Sequence, residues 1–338
     1  MRRILIDAEV MRVAERYADV LTADKIVGWR ERPIDRLRQI RDDLIEDCNY
    51  KLAIYTGCII NNYRDILLLP SEHFAELYSE FFYRWDDLDM DTKVRVKDGE
   101  KTFRDAILWA MRYEDVRDNI LPDIMRELNI NSCVYCNEVP ITTTESYTNI
   151  HGKEVRDTRY QIDHYWPQSK YPYLSTSFFN FQPSCANCNN NKSVDNALFN
   201  LYTLDNEDRI INPFHFTFGS EDKILEAIID QKWNKLDIRL KAPNDSLLEK
   251  NHQGLFHIDA IYQTDMYKQE VYRIATKVFG VNDSYVQSIR DALPVITISD
   301  EAVKEDSFMD IGYYLHDNLV HYKPLNKLAI DVVRYINL

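Results

Sequence analysis

Two C-x-x-C pairs constrain this chain more than anything else in its 338 residues. They are Cys133-Val134-Tyr135-Cys136 and Cys185-Ala186-Asn187-Cys188, with 48 residues between them. A C-x-x-C turn aims two thiolates at one point, and two such turns complete a tetrahedral zinc shell. A site of this kind must join two ends of one folded unit. With all four ligands cysteine, no position is left for water, so the zinc is expected to be structural.

The chain is expected to be cytoplasmic, where thiols stay reduced, so the cysteines fit ligands better than disulfides. The start, Met1-Arg2-Arg3-Ile4-Leu5-Ile6, opens like a signal peptide, but Asp7 and Glu9 interrupt any apolar run. The most apolar stretch, from Leu52 to Leu69, is broken by Asn61, Asn62, Arg64 and Asp65. No membrane association is therefore expected.

The pattern of elements predicts an α+β fold in three parts. Residues 1–128 read as a mostly helical domain. Val10, Val13, Ala14 and Tyr17 recur at helical spacing, as do Leu37, Ile40, Leu44 and Ile45. Pro33 suits a first helical turn, and Ser71 suits an N-cap before Phe74, Leu77, Tyr78 and Phe81. Asp86 to Gly99 reads as a loop, followed by helices over Phe103–Tyr113 and Val116–Leu128. Residues 129–213 hold the cysteines and two expected strands, Thr142–Thr144 and Arg159–Ile162, separated by a polar loop near Gly152. Residues 214–338 read as a hairpin plus helices. Phe214, Phe216 and Phe218 alternate on one strand face, and Leu236, Ile238 and Leu240 on another. Tyr267–Phe279, Asp283–Leu293 and Asn326–Ile336 carry helical patterns.

Between the cysteine pairs runs Asp163-His164-Tyr165-Trp166-Pro167-Gln168-Ser169, then Asn180-Phe181, then Cys188-Asn189-Asn190-Asn191-Lys192-Ser193. This series resembles the HNH endonucleases, or ββα-metal nucleases, including the HNH domain of RNA-guided CRISPR nucleases. Their pattern is a C-x-x-C knuckle, a D-H-x-x-P strand end, an Asn, and C-x-x-C-[HN]-x-x-K. The match runs from Cys133 to a little beyond Ser193.

The resemblance implies roles. His164 would be the general base, and its near-neutral pKa suits that task. Asp163 and Asn189 would hold a catalytic Mg²⁺ or Mn²⁺ through hard oxygen ligands. Asn180 would fix the His164 ring through its second nitrogen or the neighbouring backbone. Lys192 would approach the phosphate. Cys133, Cys136, Cys185 and Cys188 would bind the structural zinc. The expected activity is phosphodiester hydrolysis, in DNA sooner than RNA, although the motif itself does not discriminate the sugar. The alternatives are an RNA nuclease, for example on tRNA, and a zinc-stabilised, non-catalytic interaction subunit.

The net charge of −14 is unusual for a protein that grips nucleic acid. Its distribution is uneven. Residues 1–129 carry 21 basic and 27 acidic side chains, 130–196 carry 5 and 6, and 197–338 carry 15 and 22. The acidity lies outside the motif, so nucleic acid must meet a local basic patch or be delivered by a partner. Ile211-Asn212-Pro213-Phe214 and the later Ile258–Arg273 segment resemble the layout of HNH subunits from Septu- and retron-type bacterial anti-phage systems. That resemblance implies an ATPase-like partner or a second copy of the chain.

Other features read as structural. Asp87, Asp89 and Asp91 imitate a calcium loop but lack its Gly and Glu. His316 and His321 do not share a helical face. Cys48 and Cys58 sit among apolar residues and read as core. Arg156 and Arg159 precede the Asp-His strand and could touch phosphate.

Overall fold

The computed structural model describes residues 1–77, 79, 88–97, 99–193, 195–220, 223–280 and 312–337. The fold is α+β: many helices around small two-stranded sheets. The Ala8–Thr22 helix starts where Asp7 accepts hydrogen bonds from the amides of Glu9 and Val10. Its expected face of Val10, Val13, Ala14 and Tyr17 is buried. Pro33 opens the Pro33–Glu46 helix, with Asp35 closing a capping box. That helix buries Leu37, Ile40 and Leu44, while Ile45 lies exposed beyond the stripe.

Several expectations change. Ser71 is not an N-cap; it opens a 3-10 turn, and its hydroxyl donates to the Phe179 carbonyl at 2.9 Å. Tyr78 and Phe81 lie outside the described residues. Part of the expected loop is a hairpin, Lys93–Val96 with Gly99–Thr102. Val94 and Val96 face the core there, a period-2 signal hidden among charges. The next helix ends at Met111 because Arg112 turns left-handed at φ 57°. Cys48 is exposed and is not a core residue, while Cys58 is half-buried and packs against the core.

In the centre, Gln161–His164 pairs antiparallel with Phe181–Ser184, setting Asp163 opposite Gln182 and His164 opposite Phe181. The helix Ala186–Lys192 follows at once. Thr143 forms only an isolated bridge to Thr158, below a hairpin of Tyr147–Thr148 and Glu154–Val155. Farther on, His215–Thr217 pairs with Arg239–Lys241, placing Phe216 opposite Leu240, and all six alternating apolar residues there are buried. The helices Asp265–Gly280 and Asn326–Asn337 match their patterns. Asp283–Leu293 lies outside the described residues.

Residues from all three segments share one continuous buried core. Ile4–Leu5 pairs in parallel with Tyr202–Thr203, and the Asn131 amide donates to the His321 carbonyl at 2.8 Å. The cysteine-bearing centre is therefore packed from both sides. Among the described residues no helix is long and apolar enough to cross a membrane.

Candidate functional site

The four Sγ atoms of Cys133, Cys136, Cys185 and Cys188 lie within 4.8 Å of one another, all on buried residues. The first pair turns back through Asn137, whose φ of 55° is a conformation Asn tolerates. The Asn137 amide donates to the Cys133 carbonyl at 2.8 Å. The second pair sits at a helix start, where Cys185 Sγ accepts the Cys188 amide at 3.5 Å. Glu138 gives Cys136 Sγ a matching amide bond at 3.5 Å.

The cluster could hold a metal ion such as zinc. Zn–S bonds of roughly 2.3 Å put tetrahedral sulfurs roughly 3.8 Å apart, which this span allows. Crowded thiols also cannot all ionise together. Contact with Cys133 and the other cysteines pushes the Cys136 and Cys188 thiols up, while hydrogen bonds from the same neighbours hold Cys185 low. A dication removes that conflict.

The C-terminal region braces this knuckle. His252 donates through Nε2 to the Tyr135 carbonyl at 2.8 Å, and Tyr262 donates to the Cys136 carbonyl at 2.8 Å. Asn137 donates to Ser132 Oγ and the Val320 carbonyl and accepts the Lys327 amide. Tyr135 stacks on Phe256 with ring centres 4.3 Å apart. Nothing in the local sequence pointed to the braces from the C-terminal region, because they lie more than 100 residues away along the chain.

Asp163 is 7% exposed, and both its oxygens accept hydrogen bonds. Lys192 Nζ reaches Oδ1 at 3.0 Å, and the Tyr135 hydroxyl reaches Oδ2 at 2.5 Å. Lys192 also donates to the His164 carbonyl at 3.0 Å. The expected approach of Lys192 to a phosphate is thus not found: its side chain is 0% exposed. It neutralises Asp163 and ties the helix to the strand. A buried lysine needs such a partner.

His164 is buried between Tyr113 and Phe181, with ring centres 5.0 and 5.8 Å away. Its Nε2 lies 2.9 Å from the Ser175 carbonyl. A carbonyl only accepts, so Nε2 carries the hydrogen and the lone pair sits on Nδ1. Burial lowers the His164 pKa, outweighing the Ser175 bond and the Asp163 charge that raise it.

Asn180 does not touch the His164 ring. Its Oδ1 accepts the Trp166 amide at 2.7 Å, and its Nδ2 donates to the carbonyls of Trp166 and Leu174. Its own carbonyl accepts the Tyr165 amide at 2.9 Å. Of the two expected modes, the neighbouring backbone is the one found. Asn180 staples the loop that brings the Ser175 carbonyl to His164.

Asp163, His164 and Asn189 line one open cleft of about 380 Å³, with Gln168 and Asn190. Asn189 Nδ2 donates to Gln161 Oε1 at 2.5 Å, and its Oδ1 accepts no hydrogen bond among the described residues. Asn180 and Lys192 stand behind this cleft as supports. Arg156 pairs with Asp123 and Arg159 lies near Asp157, and neither lines the cleft. His321 donates to the Arg2 carbonyl and binds no second histidine. No family model matches this chain, and no curated protein or solved structure matches it.

Proposed function

We propose that this chain is a divalent-metal-dependent endonuclease of the HNH type that hydrolyses phosphodiester bonds in DNA. One observation carries the proposal: Asp163, His164 and Asn189 meet at a single cleft, and the Ser175 carbonyl fixes His164 with its lone pair on Nδ1. A neutral imidazole in that state can take a proton from water. Burial keeps it neutral at physiological pH. Each Asp163 oxygen accepts one hydrogen bond and keeps a second lone pair, and Asn189 Oδ1 is unengaged. These atoms suit a hard cation such as Mg²⁺ or Mn²⁺. Such an ion, when bound, supplies charge neutralisation at the phosphate. The four cysteines would hold a structural zinc. The acidic flanks fit a chain that works with a partner, an ATPase-like subunit or a second copy, in a bacterial anti-phage complex.

One observation favours a second reading, a zinc-stabilised interaction subunit without catalysis. The Lys192 ammonium sits 3.0 Å from Asp163 and competes with any cation for that carboxylate. Cleavage assays on DNA and RNA, with Mg²⁺, Mn²⁺ or neither, separate the two. The nuclease reading expects His164→Ala to cut roughly 10²–10⁴-fold more slowly than wild type. It also expects the rate to rise with pH through the His164 pKa. Since burial lowers that value, the acid limb should fall below pH 6.5, with a plateau above. A zinc-loaded wild type that cuts neither nucleic acid under any metal would establish the second reading.

A further inference from the structure

A second cleft, of about 470 Å³, adjoins the first. Gln168 lines both, and its buried Oε1 has no hydrogen-bond partner. Tyr113 forms the wall between them. Its ring packs on His164 at 5.0 Å and its hydroxyl donates to the Ile162 carbonyl at 3.2 Å. The second cleft is therefore one aromatic side chain from the general base.

Its charge differs from the rest of the molecule. Four cations, Arg36, Lys101, Arg112 and Arg117, line it with three carboxylates, Asp105, Glu114 and Asp115; Arg36 also pairs with Glu31 at 3.5 Å and Arg117 with Asp118 at 2.7 Å. The whole chain carries −14. Asp115 is engaged by Arg112 at 2.9 Å, and Lys101 pairs with no carboxylate among the described residues. Three of the cations lie over aromatic rings: Arg36 over Trp109 at 4.2 Å, Arg112 over Trp29 at 4.2 Å, and Arg117 over Tyr113 at 6.0 Å. Held this way, flat guanidinium and indole groups form platforms of fixed orientation.

We infer that this cleft binds an unpaired nucleotide flanking the cut, so that the substrate is single-stranded at the site. The inference rests on the nuclease reading. Cations beside aromatic and arginine planes are what splayed-out bases and their phosphates bind. The volume falls in the range of about 300–1,000 Å³ usual for small-ligand pockets. Bases inside a duplex have both faces covered and cannot enter it. Across Arg36 and Trp109 lies a groove with four carboxylates, Glu31, Asp35, Asp43 and Glu46, and three cations, Arg36, Arg95 and Lys97, so its lining has no cationic surplus.

The test is binding of a labelled 12-nucleotide single strand and its duplex to the full chain without added Mg²⁺ or Mn²⁺, across a salt series. The double variant Lys101→Gln/Arg117→Gln removes two cations outside the His164 site, and a melting curve checks its fold. The wild type should prefer the single strand. The variant should bind it about tenfold more weakly, with the log–log salt slope shallower by about 0.7 per lost phosphate contact. Equal binding of the duplex, or an unchanged affinity and slope in the folded variant, overturns the inference. A wild type that cuts but shows either result leaves the nuclease reading standing. A chain that binds as expected but never cuts overturns the nuclease reading alone.

Discussion

Two polar clusters lie on opposite sides of Tyr135, and they are built to opposite ends. The four cysteines are closed in, walled by Tyr135, Tyr262 and the Asn137 turn. The Asp163–Lys192–His164 cluster is as dry on its inner side but opens outward into a cleft. Four sulfurs around one ion would leave no room for a substrate, so a metal held there would contribute stability alone. In the open cluster Asp163, Lys192 and the Nε2 of His164 are paired on the inner side, and under the nuclease proposal the remaining Asp163 lone pairs, Asn189 Oδ1 and His164 Nδ1 are the atoms left for chemistry. Tyr135 joins the two. Its backbone belongs to the cysteine turn, and its hydroxyl holds Asp163.

The largest expected effect breaks the closed cluster. Cys185→Ser removes one ligand and the group that caps the Ala186–Lys192 helix. Metal binding in small zinc folds is worth roughly 10–16 kcal/mol, and that energy is folding energy. The variant should lose its zinc and its cooperative melting transition, while elemental analysis of the wild type should find one zinc per chain. A folded, zinc-free wild type would remove the contrast between the clusters.

Breaking the open cluster should cost less and leave the zinc in place. Lys192→Met keeps the bulk of the side chain but strands the Asp163 charge with only Tyr135 as a partner. Removing one member of a buried ion pair typically costs about 3–5 kcal/mol. A clear drop in melting temperature with an unchanged zinc content is the expected result. A variant as stable as wild type would mean that Lys192 is not the counter-charge of Asp163.

The two clusters were not equally legible in the sequence. A C-x-x-C turn and a helix-capping cysteine are local features, so residue spacing alone locates the closed cluster. Asp163-His164 and Asn189 are readable as a motif for the same reason. The burial of Lys192 is not, because it depends on a carboxylate 29 residues away. His252 and Tyr262 are farther still and carry no pattern of their own. The strand Phe181–Ser184 was not legible because it is short and contains Pro183, which is tolerated because the sheet has only two strands. The helical stripes were legible through their period, and the Lys93–Thr102 hairpin was missed because its two buried valines alternate within a charged stretch.

The smallest expected effect tests the link itself. Tyr135→Phe deletes a single oxygen. The Phe256 stack at 4.3 Å survives, since it uses the ring. The His252 bond survives too, since it ends on the residue 135 carbonyl. Only the hydrogen bond to Asp163 is lost. Hydrogen bonds to charged groups contribute roughly 1.5–3 kcal/mol, and the new cavity is too small to add much. Stability should therefore fall less than in Lys192→Met, and the zinc should stay. Asp163 would keep Lys192 but lose the contact that fixes its second oxygen. Under the nuclease proposal, cutting should then fall by about tenfold while the pH profile set by His164 keeps its shape, since misplacing a group near the chemistry is costly even when the group remains. Zinc content, melting temperature and rate measured on the same preparation decide the matter. If Tyr135→Phe releases zinc as Cys185→Ser is expected to, the clusters form one inseparable unit and the division between a closed, stabilising side and an open, reactive side is lost.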